Sequence, residues 1–146
     1  MKTISPRGIG RPDGTRYATR AAIRIPLTEQ YPWRTTNTLT NLGPNSDMTW
    51  VFDPEVQEGY ILYITDIIVT TVANVLIYVS PRVVYDDTVY DFAPSFGYQK
   101  VIIKIPDGFP VLPTWTMQVY VKNYSDLTLD EVNINVIGLM SKVIVE

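Results

Sequence analysis

From about Thr49 onward the chain alternates between apolar and polar positions with a period of two, the signature of half-buried strands. Thr49 to Asp53 reads as a first short strand ended by Pro54, and Gly59 to Val72 as a long one. Ala73-Asn74 is then expected to turn the chain into a hairpin partner, Val75 to Ser80, closed by Pro81. Val83 to Tyr85 and Thr88 to Phe92 flank an Asp86-Asp87 turn. Tyr98 to Ile105 places Val101, Ile103 and Ile105 on one face and Lys100, Ile102 and Lys104 on the other, before a Pro106-Asp107-Gly108 turn signal. Trp115 to Lys122 sends Trp115, Met117, Val119 and Val121 inward. Asn123 to Asp126 turns the chain again, and Glu131 to Val145 supplies the last strand, with Val132, Ile134 and Val136 opposing Asn133 and Asn135.

No ten-residue window carries a 3.6-residue stripe, so helix content is expected near nil. Seven or eight short strands separated by Pro, Gly, Asn and Asp turns predict an all-β fold, an antiparallel jelly-roll-like β-sandwich. Parallel sheets would instead show continuous apolar strands joined by helices. The most apolar window, Tyr60 to Val79, is interrupted by Asp66, Thr70, Thr71 and Asn74 and reads as two strands, so no membrane partner is expected.

Ahead of this body, Pro6, Pro12, Pro26, Pro32 and Pro44 with Gly8, Gly10, Gly14 and Gly43 break regular structure every few residues. Residues 1–45 therefore read as an extended N-terminal arm and 46–146 as the sandwich body; only Arg20 to Leu27 suggests a short edge strand. Charge sharpens the division. Residues 1 to 40 hold seven basic and two acidic groups, a local net of +5, and the remainder five and thirteen, a net of −8. Six of the seven cations are Arg, whose planar fork suits fixed carboxylates. A disordered tail fits the same composition. An ordered arm needs a surface to lie on, and about forty residues reach on the order of 100 Å, past one domain of this size.

With 146 residues there is room for one core. The absence of Cys and His removes disulfides, thiolate or imidazole zinc sites and imidazole acid–base catalysis, so neither an enzyme nor a cofactor or metal is expected. The N-terminus lacks the apolar stretch of a signal peptide. Asp86, Asp87 and Asp91 lack the spacing of a calcium loop and read as a solvated turn, as do Asp126, Asp130 and Glu131. Gly8-x-Gly10 with Gly14 has no strand before it and no helix after it, which argues against a phosphate cradle. Asn123-Tyr124-Ser125 matches a glycosylation sequon that reads as incidental. The arm arginines with Tyr17, Tyr31 and Trp33 invite a nucleic-acid reading, which the acidic body opposes; no nucleic-acid partner is expected.

The run Tyr-Ile-Leu-Tyr-Ile-Thr-Asp-Ile-Ile-Val (60 to 69) followed by Val-Leu-Ile-Tyr-Val (75 to 79) resembles the small jelly-roll modules of tailed-phage virion proteins. So do residues 101 to 113, 117 to 125 and 132 to 140. With the arm in front, the chain is most similar to capsid decoration proteins, also called auxiliary or cement proteins, of long-tailed phages, those of thermophilic hosts included. The resemblance covers roughly residues 58 to 140 and rests on strand and turn patterns. It implies a structural virion protein on the capsid exterior, assembled in the host cytoplasm. Its implied partners are the major capsid protein, itself as a homotrimer, and neighbouring trimers. The arm would then contribute the contacts between subunits, with Arg7, Arg11, Arg16, Arg20, Arg24 and Arg34 on acidic groups and Tyr17 and Trp33 in apolar pockets.

Ten Tyr and three Trp support a rival, a carbohydrate- or receptor-binding module, free-standing or from a tail fibre. Trp115 is assigned to the core. Trp33 and Trp50 are expected to anchor contacts between chains, while Tyr60, Tyr78, Tyr98, Tyr120 and Tyr124 stay open between the two readings. A minor head–tail connector or tail protein shares the pattern.

Overall fold

A computed structural model describes residues 29 to 143. Among the described residues nine strands run in chain order: β1 (Gln30–Leu42), β2 (Asp47–Phe52), β3 (Tyr60–Thr71), β4 (Leu76–Tyr85), β5 (Thr88–Asp91), β6 (Ser95–Tyr98), β7 (Lys100–Val111), β8 (Thr116–Asn123) and β9 (Leu129–Lys142). One sheet has the order β1-β9-β3-β7; the other has β2-β8-β4-β5, with β6 also paired to β4. Every pairing is antiparallel. The pairs nest, β1 with β9, β2 with β8, β3 with β7, and β4 with β5 and β6, which is the winding of a jelly roll.

The alternation read from the sequence packs the two sheets. Val132, Ile134 and Val136 of β9, Ile67 and Val69 of β3, and Val101 and Ile103 of β7 face Ile77, Val79 and Val83 of β4 and Met117, Val119 and Val121 of β8, all buried. On β3 the inward residues are Leu62 and Ile64, then Ile67 and Val69, so a three-residue step interrupts the period of two. A β-bulge at Thr65 absorbs it: Ile64 lies opposite Gly138 and Phe109, while Asp66 lies opposite Ile137 and Lys104. Gly138 is required here, since a Cβ would lie 2.5 Å from the Tyr63 carbonyl oxygen.

Four sequence expectations are corrected. Residues 30–42 belong to the sheet rather than to an arm: Trp33, Thr35, Asn37 and Leu39 pair with the inward residues of β9 and cover the core edge, a polar alternation that the prolines and glycines around it concealed. β3 and β4 are not a hairpin; the 72–75 connection carries the chain from one sheet to the other. Pro81 does not end β4, because its missing N–H falls between the stretches paired to β6 and to β5, while its carbonyl accepts from Phe92 N at 2.9 Å. Pro106-Asp107-Gly108 does not turn the chain; it is looped out of β7, with residues 105 to 108 opposing Thr65 alone and Gly108 at φ +77° beneath Tyr63.

Where β8 leaves the sheet, Asn123 ties one end together. Its side chain is 0% exposed. Its Nδ2 donates to the carbonyls of Gly43 at 2.9 Å and Leu127 at 2.7 Å, with Leu42 O at 3.4 Å, and its Oδ1 accepts from Ser125 N and Oγ. The sequon reading thus meets a side-chain amide that is fully engaged inside the protein. Replacing Asn123 by Ala leaves buried carbonyls unpaired and should cost about 3 kcal/mol in urea unfolding. A change within about 0.5 kcal/mol would refute this role.

Candidate functional site

The outer face of the β2-β8-β4 sheet concentrates aromatic and charged side chains. Burial of Met117, Val119 and Val121 turns Gln118, Tyr120 and Lys122 of β8 outward, and burial of Ile77, Val79 and Val83 does the same for Tyr78, Ser80 and Arg82 of β4. Register sets Tyr78 opposite Lys122 and Phe96, Ser80 opposite Tyr120, and Arg82 opposite Gln118 and Asp91.

Those positions form one polar network. Ser80 is only 1% exposed although it lies on the outer face. Its hydroxyl donates to Asp91 Oδ1 at 2.7 Å, and Arg82 Nε donates to the same oxygen at 2.7 Å. The Arg82 guanidinium lies 4.5 Å from the Tyr120 ring centroid, and the Tyr120 hydroxyl donates to Asp47 Oδ2 at 3.1 Å. The Ser80 hydrogen bond, followed by that of Arg82, holds the Asp91 carboxyl below its ordinary value of 3.8. Burial first, and then the bond to Asp47, push the Tyr120 phenol up.

Beside the network runs a line of rings. Tyr78 packs at 4.7 Å from Phe96 and 6.1 Å from Tyr120, Phe96 lies 6.0 Å from Tyr124, and Lys122 Nζ is 4.9 Å from the Tyr124 centroid. Phe96, Tyr98 and Tyr124 are 59%, 66% and 44% exposed. This surface suits stacking against another flat group or packing against a protein. Both network carboxylates already accept hydrogen bonds within it.

A second stack stands at the far end of the same sheet. Trp115 lies 4.1 Å from Tyr85 at an interplanar angle of 8°, and Tyr85 lies 4.8 Å from Tyr90 at 18°. The bond between Tyr85 and Tyr90 is the main cause that raises the Tyr85 phenol, followed by burial. Trp115 is half-buried and packs on the core as the alternation implies.

Of the residues expected to make contacts between subunits, Arg7, Arg11, Arg16, Tyr17, Arg20 and Arg24 lie outside the described residues. Trp33 is half-buried against this chain's own core, and Arg34 is exposed on the outer side of β1 opposite Ile137. Trp50 also packs on the core, stacked 4.1 Å from Phe52, because alternation on the edge strand β2 turns both inward. The acidic turns stay apart: Asp86 and Asp87 form the β4–β5 turn with both φ angles positive, Asp91 joins the Ser80–Arg82 network, and Asp126 accepts from Asn45 Nδ2 at 3.4 Å. Among the described residues no three acidic groups are placed to hold a metal ion. The sequence marked Phe96 and Arg82 in no way, since β6 is only four residues long and their roles arise from cross-strand register. No described helix is long and apolar enough to cross a membrane.

No family model and no curated protein matches this chain. Among solved structures, it is similar to the crystal structure of Yersinia pseudotuberculosis-derived mitogen, with a TM-score of 0.42 and 10% identity over 80% of this chain and 88% of that one.

Because the folded-state pKa of Asp91 is depressed, the network contributes stability above the ordinary aspartate value that is lost as pH falls through the folded value. Asp91→Asn should therefore lower thermal stability at pH 7 and flatten its decline below pH of about 4. An unchanged acid limb in melting curves from pH 7 to 2.5 or so would contradict this assignment.

Proposed function

We propose that this protein is a structural, non-enzymatic virion subunit that binds the outside of a tailed-phage capsid as a homotrimer and strengthens the shell. The observation that carries the reading is the open aromatic surface of Phe96 and Tyr98 on β6 and Tyr124 just past the end of β8. At their stated exposures the three rings leave roughly 300–400 Å² uncovered, the scale of functional patches on monomers. That is about half of the 800 Å² or so per partner typical of a stable pairwise interface. Such a surface suffices where several weak contacts act together, as on a lattice of repeated sites. The Arg-rich segment 1–28, joined to the sheet through β1, supplies a second contact per subunit. The lack of His and Cys favours a binding role over catalysis.

One observation favours the alternative of a carbohydrate- or receptor-binding module: Arg82, Asp91, Asp47 and Lys122 offer polar groups on the same face as the rings. The two readings separate in one comparison. Co-sedimentation with shells of the phage that encodes the chain should show saturable binding, weakened at least about tenfold by deleting residues 1–28. Absence of shell binding, with saturable binding on a glycan array that Phe96→Ala and Tyr98→Ala abolish, would replace this reading with the alternative.

A further inference from the structure

The two ends of the sandwich differ in charge. Strand direction gathers the 53–59 and 112–115 connections and the 86–87 turn at one end, together with the start of β1 and the end of β9. These connections hold Asp53, Glu55, Glu58, Asp86 and Asp87, all exposed, and neither Lys nor Arg. At this strand end Lys142 already lies 3.5 Å from Glu29. The connections at the opposite end, 43–46, 72–75, 99 and 124–128, contain one carboxylate, Asp126, and no cation. The Trp115–Tyr85–Tyr90 stack also opens at the acidic end, with Tyr90 42% exposed and Val89 and Leu112 exposed nearby.

We propose that this acidic, ring-lined end is the docking site for the basic segment 1–28 of a second copy of the chain. The inference rests on the reading of the protein as an assembling subunit and names the surface that receives its arm. Charge complementarity selects the occupant: segment 1–28 carries six basic groups and one acidic, a net of +5, whereas residues 29–143 carry six and thirteen, a net of −7. Five of the six cations are Arg, which binds carboxylates through its fork and stacks on rings, a use of Arg that Arg82 over Tyr120 already shows in this fold. The assembly reading selects the copy, and length permits it: twenty-eight residues can span up to about 90 Å, against roughly 30 Å across a domain of this size, enough to reach the acidic end of a neighbour.

The chain has no cysteine, so introduced thiols report without background. Full-length Thr19→Cys is mixed with full-length Gln57→Cys under oxidising conditions, with Thr128→Cys at the opposite end as the control partner; Gln57 and Thr128 are both exposed. The expected result is a mixed disulfide with Gln57→Cys formed at least about fivefold faster than with Thr128→Cys, an excess lost in about 0.5 M NaCl and in the Asp53→Asn, Glu55→Gln, Glu58→Gln background. Equal rates with the two partners, or an intrachain disulfide alone in the Thr19→Cys, Gln57→Cys double variant at high dilution, would overturn the site. Sedimentation of the same samples keeps the two ideas apart. An intact oligomer with no preference for position 57 overturns the docking site alone, and a monomer overturns the assembly reading with it.

Discussion

The architecture depends on the buried amide of Asn123. A jelly roll closes only if its connections leave the sheets without stranding backbone polar groups, and three of them converge where β8 ends. Asn123 satisfies carbonyls from the β1–β2 turn and the β8–β9 connection, and its own N–H donates to Ser46 O at 2.9 Å. Tyr124 N donates to Leu76 O at 3.0 Å, which adds the start of β4 to the same knot. Once that end is fixed, the register of β2 on β8 and of β8 on β4 follows, and with it the placement of every ring and charge on the outer face.

Much of this fold is legible in the sequence where burial is one-sided. The alternations in β7, β8 and β9 identify core residues correctly because a slip of one residue would expose the whole apolar set. What the sequence conceals depends on partners distant in the chain. β1 contains Thr35 and Asn37 at inward positions, so its strand character shows only against β9. The Pro106-Asp107-Gly108 signal carries correct local chemistry, since Gly108 does adopt a positive φ, but β7 pairs with β3 both before and after the excursion, which keeps it a bulge. The three-residue step from Ile64 to Ile67 announces the complementary bulge at Thr65.

The surface divides its chemistry. One end is closed by Asn123 and has Phe96, Tyr98 and Tyr124 exposed near it. The other end is acidic and lies where the basic segment joins the sheet. Under the proposed function, exposed rings at one place and opposite charges on the body and the terminal segment would serve repeat contacts in a lattice, where exposed ion pairs worth roughly 0 to 1 kcal/mol each become effective through number. The Ser80–Arg82–Asp91 network ties β4 to β5 on the face between these regions.

Self-association is the premise on which this functional account stands, and native mass spectrometry of the full-length protein at low micromolar concentration tests it most directly. The account predicts a trimer; a strict monomer would contradict it.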